Sequence, residues 1–270
     1  MWSSRFDPAT IAARLALAAG GGEGWVDGAR REHATAGAGS HHRPAAVLLP
    51  LLRLRGDIGR EGEAEAGADH PAAAPTPISP ASPPPPISTL ATTSSLSTES
   101  SASPWHLLFI RRAEHPHDRH SGEVAFPGGR VDPLDPDLVA TALREAEEEI
   151  GLAPDQVEVL GQLPAFHTVS GYRVTPVVGL IPWPLALRPD PTEVAEVFTL
   201  PLDWLREPGH RHTRLWPHPG HPQAREVIFY QEREGRRLWG VTAWITVDFL
   251  GCLEPWDRHP AGSGTWHRRN

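Results

Sequence analysis

The sequence predicts an α+β protein built around a mixed β-sheet, and three observations carry that prediction. Apolar and β-branched runs of strand length recur along most of the chain. Helical patterns interrupt them without the regular alternation that a parallel βαβ sheet requires. A length of 270 residues is enough to bury a sizeable core.

Taken in order, "DPATIAARLALAAGGGEG" opens with an aspartate cap and a proline at the first helical position. It reads as a helix from Asp7 to about Ala19, followed by a glycine-rich linker, so residues 1–42 form an N-terminal segment. The main domain is expected at 43–255, starting with "RPAAVLLPLLRL" (Arg43 to Leu54) as a buried strand. From about 55 to 104 the chain has no aromatic residue and becomes dominated by Pro, Ser and Thr. Such a composition cannot bury enough apolar surface to offset its ordering entropy, so a disordered insertion is expected there. Strands are then expected at "WHLLFIRR", "VEVLGQL", "YRVTPVVGLI", "EVAEVFTLPL" and "REVIFYQE", and a closing helix at "TAWITVDFLGCL" capped by Thr242. Trp239 and Trp244 are expected in the core, and residues 256–270 form a tail.

Composition removes several functions. A formal net charge of -8 argues against a general nucleic-acid binder. The chain has no lysine, which excludes a Walker-type phosphate loop and a lysine Schiff base. Any phosphate held by a basic side chain is therefore held by arginine, whose planar fork suits bidentate contacts. The single cysteine, Cys252, leaves no intramolecular disulfide and no cysteine zinc cage. No apolar run approaches the ~18–20 residues that span a bilayer, and "MWSSRFDPAT" lacks a signal-peptide pattern. The expectation is a soluble cytoplasmic protein with no membrane partner, a homodimer being left open. The histidine-rich "GHRHTRLWPHPGHP" reads as a polar loop, since interspersed prolines deny it a ligand-presenting scaffold.

The densest chemistry lies in "FPGGRVDPLDPDLVATALREAEEEIGL" (Phe126 to Leu152). A helix is expected from Asp135 to Ile150, with Asp135 as cap, Pro136 at the first position and Gly151 at the end. At about 100° per residue, Glu145, Glu148 and Glu149 form one patch bordering the apolar stripe, while Glu147 points away. Arg144 is an i, i+4 neighbour of Glu148 and can steer it. A solvated acidic face is the ordinary reading of such a patch. Against it, like charges at this spacing cost roughly 0.2–0.5 kcal/mol per pair, and the helix C-terminus disfavours anions. A divalent cation removes both penalties, and clustered carboxylates suit magnesium or manganese. Gly128 and Gly129 let backbone approach a ligand, which makes a floor for a diphosphate.

This stretch resembles the Nudix box: Gly129, then Asp135, then Arg144-Glu145-Ala146-Glu147-Glu148-Glu149-Ile150-Gly151-Leu152. An aspartate stands where the box usually has glutamate, and eight residues separate it from Arg144 where the general box has seven. With the upstream "LLFIRRAEHPHDRHSGEVAFPGG", the chain resembles the coenzyme A diphosphatase branch of the Nudix hydrolases. The resemblance implies an α/β/α sandwich and hydrolysis of the diphosphate of coenzyme A or acyl-coenzyme A. Glu145, Glu148 and Glu149 would then serve the metal, with Arg144 orienting them. The water-activating base is open among Glu145, Glu148, Glu193 and Glu196. Arg111, Arg112, Arg119 and Arg130 are candidates for the acidic groups of the substrate, over Gly128 and Gly129. Other diphosphate substrates (ADP-ribose, a dinucleotide, a nucleoside triphosphate) are the first alternative. A non-catalytic Nudix-like binding module is the second, and the intact Arg144, Glu145, Glu148 and Glu149 speak against it.

Overall fold

A central mixed sheet carries the molecule, and its middle strand explains itself from sequence. Strand β1 (Arg43–Arg53) is apolar on both faces because helices cover both. The computed structural model describes residues 6–20, 42–54, 104–116, 120–216 and 224–254, plus the backbone of two short strands in the tail. The glycine-rich linker, the Pro/Ser/Thr-rich segment apart from Pro104, and Arg119 lie outside the described residues.

β1 runs parallel to β7 (Tyr172–Ile181) over ten residue pairs, from Arg43↔Tyr172 to Leu52↔Ile181. On its other side it pairs antiparallel with β2 (Trp105–Arg112) at one end and with β4 (Gly128–Arg130) at the other. β3 (Val124–Ala125) and β8 (Val194–Pro201) flank β2, while β5 (Glu158–Gln162) and β6 (Phe166–His167) pair with β7. A separate two-stranded ribbon joins β9 (Arg211–Trp216) to β10 (Arg225–Tyr230).

Two core layers sit on opposite faces, as the period-2 alternation of strands requires. Leu49, Leu51, Leu107 and Phe109 pack with helix α1 (Pro8–Gly20) and helix α4 (Gly240–Leu253). Leu48, Leu52, Leu108 and Ile110 pack with helix α2 (Leu138–Ile150) through Ala142, Ala146 and Ile150. The short helix α3 (Leu202–Arg206) buries Leu202 and Leu205 in the first layer. This is the expected α/β/α sandwich around a mixed sheet. Among the described residues, no helix is long and apolar enough to cross a membrane.

The structure corrects four local expectations. Helix α2 is capped by Asp137, whose side chain accepts the Ala140 N–H at 2.8 Å, because Asp135 is drawn away to Arg144. Helix α4 starts at Gly240, and Thr242 lies inside its first turn with no side-chain cap on the helix. Arg211–Trp216, expected as polar loop, is a strand because six cross-strand pairs with β10 satisfy its backbone. Trp239 is only half-buried and stacks on Phe229, ring centroids 5.6 Å apart, while Trp244 is buried as expected.

Candidate active site

Helix α2 and the glycine turn ahead of it build the site together. β4 lies against β1 in the register Ala46↔Gly129 and Val47↔Gly128, which brings the turn over the C-terminal half of the helix. Gly128 adopts a φ of +154, and a Cβ there would meet the Ala46 carbonyl oxygen at 2.4 Å. At Gly129 the obstacle would be functional: a Cβ would lie 2.4 Å from Glu145 Oε2. Only glycine lets that carboxylate rest on the turn.

Glu149 is buried, with 2% exposure, and its Oε2 accepts the Gly128 N–H at 2.9 Å. Burial pushes its carboxyl up to about 8. The charges of Glu145 and Glu193 push the same way, while the Gly128 hydrogen bond and Arg112 only partly oppose them. Glu145 is raised as well, chiefly by burial, with Glu148 and Glu193 adding to the effect. The site thus gathers more negative charge than the chain itself neutralises.

Arg144 organises the other side. Its Nε and Nη2 donate to the two oxygens of Asp135, both at 3.0 Å, and Nη2 also donates to the Arg130 carbonyl at 3.0 Å. Nη2 lies 3.0 Å from Glu145 Oε1, and Nη1 donates to Glu148 Oε2 at 3.0 Å. Asp135 additionally accepts the Thr141 hydroxyl at 2.8 Å and the Asp132 N–H at 2.9 Å. These donors, Arg144 first, hold its carboxyl far below the usual carboxylate range.

The expected site residues therefore separate into groups. Glu145 and Glu149 share the glycine floor, and Glu148 is turned to Arg144 with 59% of its side chain exposed. Among the described residues no three His, Cys, Asp or Glu side chains form a ready metal cluster. The half-buried Glu145 and buried Glu149 nonetheless fit a divalent cation, because neighbouring carboxylates whose charge Arg144 and Arg112 only partly offset are the environment that a cation relieves. Glu193 sits in the turn just before β8, exposed, and close enough for its charge to act on both. Glu196 lies on β8 and is engaged elsewhere, by Arg111 Nε at 3.3 Å and by Arg236 Nε at 3.1 Å. Arg112 faces Glu149 electrostatically, and Arg130 is exposed with its guanidinium 5.4 Å from the Tyr172 ring centre. Sequence reasoning missed Arg236, which is 40 positions from its partner Glu196 and follows no local spacing.

Fold and site together define a hydrolase of the Nudix type, and comparison with known proteins agrees. A model of the NUDIX domain matches residues 97–229. The chain is 41% identical over 143 residues to a protein of Pectobacterium atrosepticum named "Uncharacterized Nudix hydrolase NudL", covering 53% of this chain and 72% of that relative. The protein of the same name from Photorhabdus laumondii is 43% identical over 139 residues, covering 52% and 72%. Among solved structures, a Nudix hydrolase from M. smegmatis, RenU, aligns with a TM-score of 0.37 and 19% identity over 60% of this chain and 72% of that one. On the strength of the sequence relatives, the chain belongs to the Nudix family and is a Nudix hydrolase.

Proposed function

We propose that this chain hydrolyses the diphosphate of coenzyme A or an acyl derivative, giving 3′,5′-adenosine diphosphate and (acyl-)phosphopantetheine. The observation that carries the hydrolytic part is the Glu145–Glu149 pair on the Gly128–Gly129 floor, with its charge only partly offset by Arg144 and Arg112. Magnesium or manganese bound there would supply charge neutralisation for the diphosphate oxygens and a more acidic water. Gly128 orients Glu149 through its N–H, and Arg144 orients Glu145 and Glu148. Glu196 is a poor proton acceptor because Arg236 and Arg111 depress its basicity. With Glu145 assigned to the cation, Glu193 and Glu148, both exposed beside the site, are the carboxylates able to take a proton from water.

The coenzyme A part is supported by "GEVAFPGG" ahead of the box, by the longer spacer between Asp135 and Arg144, and by the arginines Arg111, Arg112 and Arg130 in the flanking sequence. The experiment is a product analysis by chromatography over coenzyme A, its 3′-dephospho form, ADP-ribose and a nucleoside triphosphate, with and without magnesium. Coenzyme A is expected to show the highest kcat/KM. Faster turnover of ADP-ribose would overturn the coenzyme A reading and leave the hydrolase. Absence of turnover on every compound would point to a binding module.

A further inference from the structure

Strand β4 carries more than the glycine floor. It pairs with β1 alone among the described residues, and towards β1 the Leu48 N–H donates to the Pro127 carbonyl and the Val131 N–H to the Pro44 carbonyl. The groups on its other edge, the Gly128 N–H and the Arg130 carbonyl, are taken by Glu149 and by Arg144 Nη2. The acidic site therefore lies along the open edge of this strand. Arg144 Nη2 is 3.0 Å from both the Arg130 carbonyl and Glu145 Oε1, so the Arg130 backbone is a neighbour of the candidate cation site.

At that end the sheet gathers the opposite charge. Arg130 stands across from Ala45, and Arg43 from Tyr172, so Arg43, Arg130 and Tyr172 project on one side of the sheet corner. The guanidinium of Arg43 lies 4.3 Å from the Tyr172 ring centre and that of Arg130 5.4 Å from it. Both arginines are exposed, and neither has an ion pair among the described residues. Arg43 makes one long donation, 3.4 Å, to the Ser170 carbonyl. Acidic side chains outnumber basic ones in this chain, 33 to 25, yet none answers these two. Two guanidiniums drawn to one ring repel each other, and a doubly charged phosphate monoester relieves that repulsion with charge-assisted hydrogen bonds.

Side chains alternate along a strand, so Arg130 projects away from the face on which Gly129 meets Glu145. A ligand lying on the strand edge reaches both. With the scissile diphosphate over the floor, the remaining anionic group of coenzyme A is its 3′-phosphate, only the ribose carbons C3′, C4′ and C5′ away. The uncharged pantetheine arm would leave both arginines unused.

We infer that Arg43 and Arg130 form the seat of the substrate's 3′-phosphate, with the Tyr172 ring holding the two guanidiniums together. The inference rests on the coenzyme A reading and makes Arg43 and Tyr172, both outside the box, determinants of specificity.

The test compares kcat/KM for coenzyme A and its 3′-dephospho form, with magnesium, in the full-length protein. Wild type should favour coenzyme A by about 10-fold or more, and Arg43→Gln and Arg130→Gln should each cut that ratio to about 3 or below, chiefly through KM. Tyr172→Phe keeps the ring and should keep the ratio, whereas Tyr172→Leu should lower it. Arg237→Gln, an exposed arginine paired with Glu232, is the control and should leave the ratio unchanged. Circular dichroism melts confirm that each variant is folded. A ratio near one in wild type, a ratio that survives both arginine substitutions, or an equal loss in Arg237→Gln would overturn the seat, and an unaltered ratio in Tyr172→Leu would remove the ring from it. If coenzyme A is not hydrolysed, the substrate reading fails and calorimetry with 3′,5′-adenosine diphosphate and 5′-adenosine monophosphate decides the seat separately. A preference for the bisphosphate that Arg43→Gln and Arg130→Gln remove supports it, and no preference, or one that both variants keep, overturns it.

Discussion

Asp135, half-buried in the loop before α2, and Glu149, buried on that helix, are carboxylates of one segment, yet their surroundings treat charge in opposite ways. Asp135 meets both prongs of Arg144, a hydroxyl and a backbone N–H, so its negative charge is fully answered by the chain. Glu149 meets one backbone N–H, with the charges of Glu145 and Glu193 acting against it. The first arrangement holds the loop to the helix. The second leaves charge to be neutralised from outside, which is what a cation site for diphosphate hydrolysis requires. Two acids of one segment thus do structural and chemical work according to their burial and their neighbours.

Substituting Glu149 breaks the second arrangement and should have the largest effect. Glu149→Gln keeps an oxygen for the Gly128 N–H, so the fold should survive while turnover falls by ~10²-fold or more, the range for losing an electrostatic stabiliser. Its stability should also diverge from wild type in a definite direction. With the folded carboxyl raised from its ordinary 4.5 to about 8, wild type without metal gains stability that is present at low pH and lost as pH rises through that window. Glu149→Gln should lack this decline, which thermal melts between pH 5 and 9 can read. Equal turnover, or an unfolded variant, would remove Glu149 from the metal site.

A smaller loss should follow from crowding the floor without changing any charge. Gly129→Ala places a methyl against Glu145, whose carboxylate must move, and kcat/KM should fall by about 10-fold, or some 1.4 kcal/mol. Gly209→Ala, where the nearest atom would be 3.9 Å away, is the matched control. Indistinguishable kinetics in the two variants would mean that Glu145 need not rest on the turn.

Asp135→Asn attacks the neutralised region, and its effect on turnover should be the smallest of the three. Arg144 loses a charged partner, and stability at neutral pH should drop by about 2 kcal/mol. Because the Asp135 carboxyl is depressed, its contribution is present above the ordinary carboxylate range and lost as pH falls through the folded value. The gap between wild type and variant should therefore narrow on acidification below about pH 4. A gap that is constant with pH, in urea titrations at pH 7 and pH 3, would show that the pair contributes through packing alone.

Much of this was readable from local pattern. Trp105–Arg112 and Tyr172–Ile181 are strands over the expected runs, since both are apolar, β-rich segments buried on the sheet. The end of α2 at Gly151 followed from a glycine after the last periodic residue. Its start did not, because Asp135 and Asp137 are equally good caps in isolation and only Arg144, nine positions from Asp135, chooses between them. β9 escaped for a similar reason: its histidines and arginines carry no apolar alternation, and the strand exists because β10 pairs with it.

By itself, then, the sequence determined the α+β mixed-sheet class and the helix on which Glu145, Glu148 and Glu149 stand, through periodicity and spacing within a few turns of chain, while its resemblance to the Nudix box implied the family and the α/β/α architecture. The tertiary structure decided which carboxylates are neutralised. It set Gly128 under Glu149 and Gly129 under Glu145, drew Asp135 onto Arg144, and tied Glu196 to Arg236 across 40 positions. Charge acts through space and burial, and neither distance nor burial is written in the order of the residues.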